Sequence, residues 1–253
     1  MTDLRPDVIA FDADDTLWHN ERLFQDTHEE FRQLLARYHD PEWIQQRLYE
    51  TEMRNLAHFG YGVKSFILSM VETAVELTEG RVAGGEVQRI VDLGRAMLEA
   101  PVALLEGVED TLDTLARSHE LMVITKGDLL DQESKLERSG LRDLFGVFEV
   151  VSRKDPRTYT RVLERHGVAP ERFVMVGNSL RSDVFPVLEI GGFAVHIPYH
   201  VVWEHERTDE EPPDAARWVR IDRIAQLPDS LRHAAADADR KRTATPGAER
   251  PER

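Results

Sequence analysis

Val8-Ile9-Ala10-Phe11-Asp12-Ala13-Asp14-Asp15-Thr16-Leu17 sets four apolar residues directly before a cluster of carboxylates. The apolar run reads as a short strand buried on both faces of a parallel sheet. Carboxylates placed straight after it are costly to bury, so they must open into a solvated crevice at the strand's C-terminal end, where open α/β sheets place their ligands. Asp12 and Asp14 stand two apart and can project toward the same side. Crowded carboxylates repel, so a cation or a shared proton should accompany them.

Outward from this stretch, similar apolar runs at 121–124, 148–152, 173–176 and 193–197 predict further buried strands. Helical patterns lie between them at 108–117, at 129–139, and from Asp155-Pro156, where Asp suits the N-cap and Pro the first helical position. This alternation predicts an α/β fold, a Rossmann-like parallel sheet core. The interval 20–104 is different: it carries amphipathic stretches at 23–38, 41–57, 64–78 and 86–99, with loops marked by His39-Asp40-Pro41, Phe59-Gly60-Tyr61-Gly62 and Gly84-Gly85. The expected organisation is a core from 1–18 and 105–228, a helical cap domain from 19–104, and a disordered tail at 229–253, where apolar content falls away.

The 253 residues are 41% hydrophobic and 31% charged, enough for a substantial core, and no apolar run approaches the roughly 20 residues that span a bilayer. A formal net charge of -15 disfavours nonspecific attraction to nucleic acid or to anionic membranes. The start, Met1-Thr2-Asp3-Leu4-Arg5-Pro6, has no secretory pattern, and a cytoplasmic protein is expected. With no cysteine in the chain, thiolate metal sites and cysteine nucleophiles are ruled out. An anionic substrate must then be attracted locally, by individual lysines, helix N-termini or a bound cation.

A carboxylate pair can divide the work of phosphoryl transfer. One attacks phosphorus to form an aspartyl phosphate; the other protonates the departing alkoxide and later takes a proton from water. The plainer reading is a strand end followed by a turn of Asp residues.

Asp12-Ala13-Asp14-Asp15-Thr16, D-x-D-x-T after an apolar strand, resembles the first motif of the haloacid dehalogenase superfamily. Three more motifs follow in that family's order. Val123-Ile124-Thr125-Lys126-Gly127-Asp128 matches the second, a strand ending in Ser or Thr. The resemblance implies that the Thr125 hydroxyl and the next backbone N–H hold a phosphoryl oxygen, with Lys126 near the mouth as a further substrate contact. Ser152-Arg153-Lys154-Asp155-Pro156 matches the third, a lysine before a helix, whose ammonium would neutralise phosphate and nucleophile together. Arg153 is the competing candidate. Val176-Gly177-Asn178-Ser179-Leu180-Arg181-Ser182-Asp183 matches the fourth, an acidic loop, with Asn178 where many relatives carry Asp.

By this resemblance Asp12 is the nucleophile, Asp14 the general acid and base, and Thr125 and Lys154 complete the catalytic set. Mg²⁺ would be held by Asp12, the Asp14 carbonyl and Asp183, with water and substrate completing the octahedron. Asn178 brings no charge, which implies weaker metal binding than two acids would give.

The implied activity is a magnesium-dependent phosphatase acting on a small phosphorylated metabolite. A phosphomutase of the β-phosphoglucomutase kind shares the acid pair, and a noncatalytic module keeping the fold is the alternative from another class. Dehalogenases need no acid at Asp14, and phosphonatases tend to lack it. The inserted helices should close over the crevice, with the turn from His58 to Lys64 as the expected place of substrate contact and His19 near the mouth.

Overall fold

A computed structural model describes residues 6–201, 203–213 and 217–243. Its centre is a parallel sheet of six strands in the order β3-β2-β1-β4-β5-β6. These are β1 (Val8–Phe11), β2 (Glu120–Lys126), β3 (Val147–Val151), β4 (Phe173–Gly177), β5 (Phe193–His196) and β6 (Trp218–Arg220). β1 lies between β2 and β4, with Phe11 opposite Val123 on one side and Val176 on the other. The strand order therefore reverses beside β1, which creates the crevice outside its C-terminal end.

Strand periodicity divides the apolar runs between two layers. Ile9, Phe11, Leu121 and Val123 face one cluster, while Val8, Ala10, Met122 and Ile124 face the other. Both faces are covered by helices, which is why these strands read as continuous apolar runs.

Four helices are inserted between β1 and β2: α1 (Glu21–Leu35), α2 (Pro41–Phe59), α3 (Val63–Leu77) and α4 (Gly84–Glu99). They bury an apolar cluster of their own that includes Phe31, Ile44, Leu48, Phe66 and Met70. Asp40 caps α2 by accepting the Trp43 N–H at 2.9 Å, and Pro41 opens it. Gly84-Gly85, expected as a loop, instead begins α4, where the Glu86 carboxylate accepts the Ala83 N–H at 2.9 Å.

After the insertion come α5 (Val108–Ala116), α6 (Leu129–Arg138), α7 (Pro156–His166), α8 (Phe185–Glu189) and α9 (Leu227–Thr243). The last of these corrects the expected disordered tail as far as Thr243. Leu227 and Leu231 are buried, and Ala234 and Ala235 pack against the same cluster as Val108 and Leu112 of α5. An apolar stripe at helical spacing holds this segment down, although alanine made it look featureless in composition. Residues 244–253 of the expected tail lie outside the described residues. β6 was not expected from the sequence; it is three residues long at the sheet edge.

Candidate active site

Asp12 leaves the end of β1 with its N–H donated to the Val176 carbonyl at 2.8 Å, so the sheet ladder itself fixes its backbone. Its carboxylate meets the Lys154 ammonium, which also donates to Asp183 Oδ1 at 2.7 Å. Lys154 reaches them from the loop between β3 and α7, where Asp155 caps the helix by accepting the Thr158 N–H at 2.8 Å. The neighbouring Arg153 is exposed. Geometry thus separates two basic residues that adjacency in sequence could not.

Asp183 enters from a π-helical turn, Leu180–Val184, that follows β4. Its Oδ2 accepts the Ser179 N–H at 3.0 Å, and the side chain is 1% exposed. Gly177 makes this approach possible: a Cβ there would lie 2.2 Å from the Asp183 carboxyl carbon. Asn178 lines the same cavity, with its Oδ1 accepting the Thr16 hydroxyl at 3.5 Å and its carbonyl 3.0 Å from His196 Nε2.

Burial raises Asp12 to about 7; Asp183 and Asp14 act in the same direction and Lys154 against it. For Lys154, burial alone would lower the pKa, but Asp12 and Asp183 outweigh it and the net shift is upward. A nucleophilic Asp12 must be an anion, and one lysine shared by two buried carboxylates leaves it only partly compensated. Among the described residues no cluster of three His, Cys, Asp or Glu side chains could enclose a metal. The donors lining the cavity there are two carboxylates, Asp12 and Asp183, with the neutral Asn178 beside them. That set fits a hard cation that keeps several waters.

Asp14 is held by side chains that the sequence did not single out. Trp18 Nε1 donates to Oδ1 at 2.7 Å, Gln132 Nε2 donates to Oδ2 at 2.8 Å, and the Lys135 ammonium lies 3.2 Å from Oδ1. Gln132 also donates to the Lys126 carbonyl at 2.9 Å, tying Asp14 to the segment after β2. Spaced three apart on α6, Gln132 and Lys135 share a helix face. That spacing, just after the second motif, was the available clue.

Thr125 is buried at the end of β2 and lines the cavity; its hydroxyl lies 3.2 Å from the Lys126 carbonyl. Lys126 also lines the cavity, but its ammonium pairs with Glu206, donates to Ser182 Oγ at 3.0 Å and sits 4.4 Å from the centre of the Tyr61 ring. Nothing in the sequence pattern marked Glu206. His19 is exposed and bonded to the Tyr199 hydroxyl at 2.6 Å, away from the cavity lining.

The cavity has a volume of about 180 Å³. Its roof comes from the inserted helices and the turn Gly60-Tyr61-Gly62, with Tyr61 edge-on to Trp203 at 6.0 Å between ring centres. Gly62 has φ of 111°, and a Cβ there would lie 3.0 Å from the Asp128 N, so this close approach of loop to core favours glycine. Lys64 pairs with Asp128 at 2.8 Å on the outside of the seam.

Two further acids line the roof side. Burial raises Asp15 to about 7, against the N–H groups of Asn20 and Glu21, and raises Glu21 to about 8 with the help of Asp15 and Glu52. In the window from the ordinary carboxylate value up to the raised one, the native state holds a proton that the unfolded chain has lost. Stability therefore falls as pH rises, from 3.8 to about 7 for Asp15 and from 4.5 to about 8 for Glu21. Metal-free protein should melt at a lower temperature at about pH 8.5, above both windows, than at about pH 6, inside them, and Glu21→Gln should flatten the difference. A melting temperature that is level across this range, or a slope unchanged in Glu21→Gln, would contradict the assignment.

A family model described as haloacid dehalogenase-like hydrolase matches residues 6–186. The chain belongs to this hydrolase family. Among curated relatives, the glyceraldehyde 3-phosphate phosphatase of Methanopyrus kandleri is 25% identical over 242 residues, covering 91% of this chain and 99% of that one. The protein of the same name from Pyrococcus furiosus is 26% identical over 233 residues, covering 88% and 91%. Among solved structures, a haloacid dehalogenase-like family hydrolase from Xanthomonas campestris is 44% identical, with a TM-score of 0.83 and 95% of each chain covered. A 2-haloacid dehalogenase from Pseudomonas syringae, 22% identical with a TM-score of 0.60 over 90% of this chain and 99% of that one, shares the fold.

Proposed function

We propose that this enzyme is a Mg²⁺-dependent phosphatase that hydrolyses a small phosphate monoester through an aspartyl phosphate on Asp12. The observation that carries the reading is the placement of Asp12 at the floor of a cavity of about 180 Å³, held with Asp183 by one buried lysine and facing Thr125 and Asp14. Asp12 attacks phosphorus, and the ester oxygen leaves with a proton supplied from Asp14. Asp14 then takes a proton from the water that cleaves the acyl phosphate. Thr125 and Lys154 hold the phosphoryl oxygens and spread their charge. Bound at Asp12, Asp183 and the Asp14 carbonyl, with Asn178 alongside, Mg²⁺ would supply the positive charge that keeps the nucleophile and the phosphoryl group together. The two relatives named for glyceraldehyde 3-phosphate make a three-carbon phosphate ester a sensible first substrate.

The test is release of p-nitrophenol from p-nitrophenyl phosphate by purified protein, with added Mg²⁺ and with EDTA. Turnover should appear with the metal and fall to background with the chelator. Activity undiminished by EDTA would remove the metal from the proposal. No turnover of this ester or of a broad panel of phosphate esters would favour a noncatalytic binding module.

A further inference from the structure

Three lysines line the cavity, and two of them are engaged with carboxylates of the reacting centre or its support. Lys154 serves Asp12 and Asp183, while Lys135 serves Asp14 and Asp131. The third, Lys126, follows Thr125 directly and is the cation placed to meet a second charged group on an incoming ester. That place is already filled. Glu206 forms an ion pair with Lys126, and both side chains are largely buried.

Glu206 is itself fixed. Its Oε2 accepts from the Ser179 hydroxyl and, at 2.8 Å, from the Ser182 hydroxyl. It belongs to the short turn Glu204–Glu206, which follows Trp203, the residue that meets Tyr61 over the cavity. Burial would raise its pKa, but Lys126 and the two serine donors outweigh this and bring it down to about 2, so it stays an anion at any working pH.

We propose that Glu206 is a specificity-determining residue: it occupies, from within the chain, the position at Lys126 that an acidic leaving group would take, so the site selects phosphate monoesters whose leaving group carries no second negative charge. This rests on the phosphatase reading above and narrows its substrate class. A carboxylate on the leaving group would have to displace Glu206 or lie beside it unpaired. The roof offers no relief, since its His28 Nε2 is already 3.0 Å from Glu52 and no free cation faces the leaving group there among the described residues lining the cavity. Such like-charge placement suppresses wrong partners by repulsion rather than by added contacts to right ones.

Glycerol 3-phosphate and 3-phosphoglycerate differ only in a hydroxymethyl against a carboxylate, which makes them the probes. Each is measured for kcat/KM and as a competitor of p-nitrophenyl phosphate, so a slowly hydrolysed ester still yields a constant. Wild-type enzyme should favour the neutral ester by at least about tenfold. Glu206→Gln keeps hydrogen-bonding capacity toward the serines and frees Lys126, and should shift the ratio toward the acid by about tenfold, mostly in KM. Adding Lys126→Met should cancel that gain. A wild-type enzyme that takes both esters equally, or a folded Glu206→Gln variant with an unchanged ratio, overturns the inference. If Glu206→Gln does not fold, the wild-type ratio decides. Hydrolysis of p-nitrophenyl phosphate without charge preference sinks the inference alone, whereas no hydrolysis of any ester sinks the phosphatase reading and this inference with it.

Discussion

Asp12→Asn should lower turnover by at least about 10⁴-fold, the scale on which removal of a nucleophile is felt, and should leave no phosphorylated protein detectable by mass spectrometry. The fold should survive. Burial is the main cause that raises the wild-type carboxylate to about 7, and repulsion from Asp183 and Asp14 adds to it. An amide of the same shape removes that repulsion, yet its oxygen can still accept from Lys154. The melting temperature of metal-free Asp12→Asn should therefore match or exceed that of the wild type. A variant retaining more than roughly a hundredth of the activity would sink the assignment of Asp12 as nucleophile.

Lys154→Met should combine a comparable loss of activity with the opposite effect on stability. The ammonium is the shared partner of two carboxylates that are themselves buried, and removing one member of such a set leaves charge uncompensated, at a cost of about 3–5 kcal/mol. Urea denaturation in EDTA is the measurement. Added Mg²⁺ should return part of the lost stability, because the ion would answer the same two charges, while turnover should stay at least about 10²-fold down since the phosphoryl oxygens still lack Lys154. A metal-free Lys154→Met protein as stable as the wild type would show that the ion trio does not hold the site together.

What could be read from sequence was whatever depends on local pattern. The buried strands announced themselves as apolar runs because helices cover both faces of the sheet, and Asp155-Pro156 announced the start of α7. Four motifs in order brought Asp12, Thr125, Lys154 and Asp183 to one place in the reading, and in the structure all four line one cavity. The parts that stayed hidden depend on tertiary contacts. Arg153 competed with Lys154 in the reading as an adjacent basic residue, and in the structure Lys154 is buried while Arg153 is exposed. Lys126 was expected to meet substrate, but its partner Glu206 lies 80 positions further on, in a segment without regular pattern. The grip of Trp18, Gln132 and Lys135 on Asp14 likewise needs the first motif and α6 to be packed together before it can be seen.

The helix at the far end of the chain bears on where this protein can be cut. A boundary drawn by composition would fall near Pro228, after Leu227 and before Leu231, and would sever a seam. Leu112 and Leu115 of α5, with Val108, share their cluster with Leu231, and Ala234 and Ala235 pack against it, so these turns of α9 act as a stopper against α5. Trimming what looks like a dispensable end would uncork that apolar seam to water, in the same cluster that holds Phe11 and Trp18 behind the carboxylates.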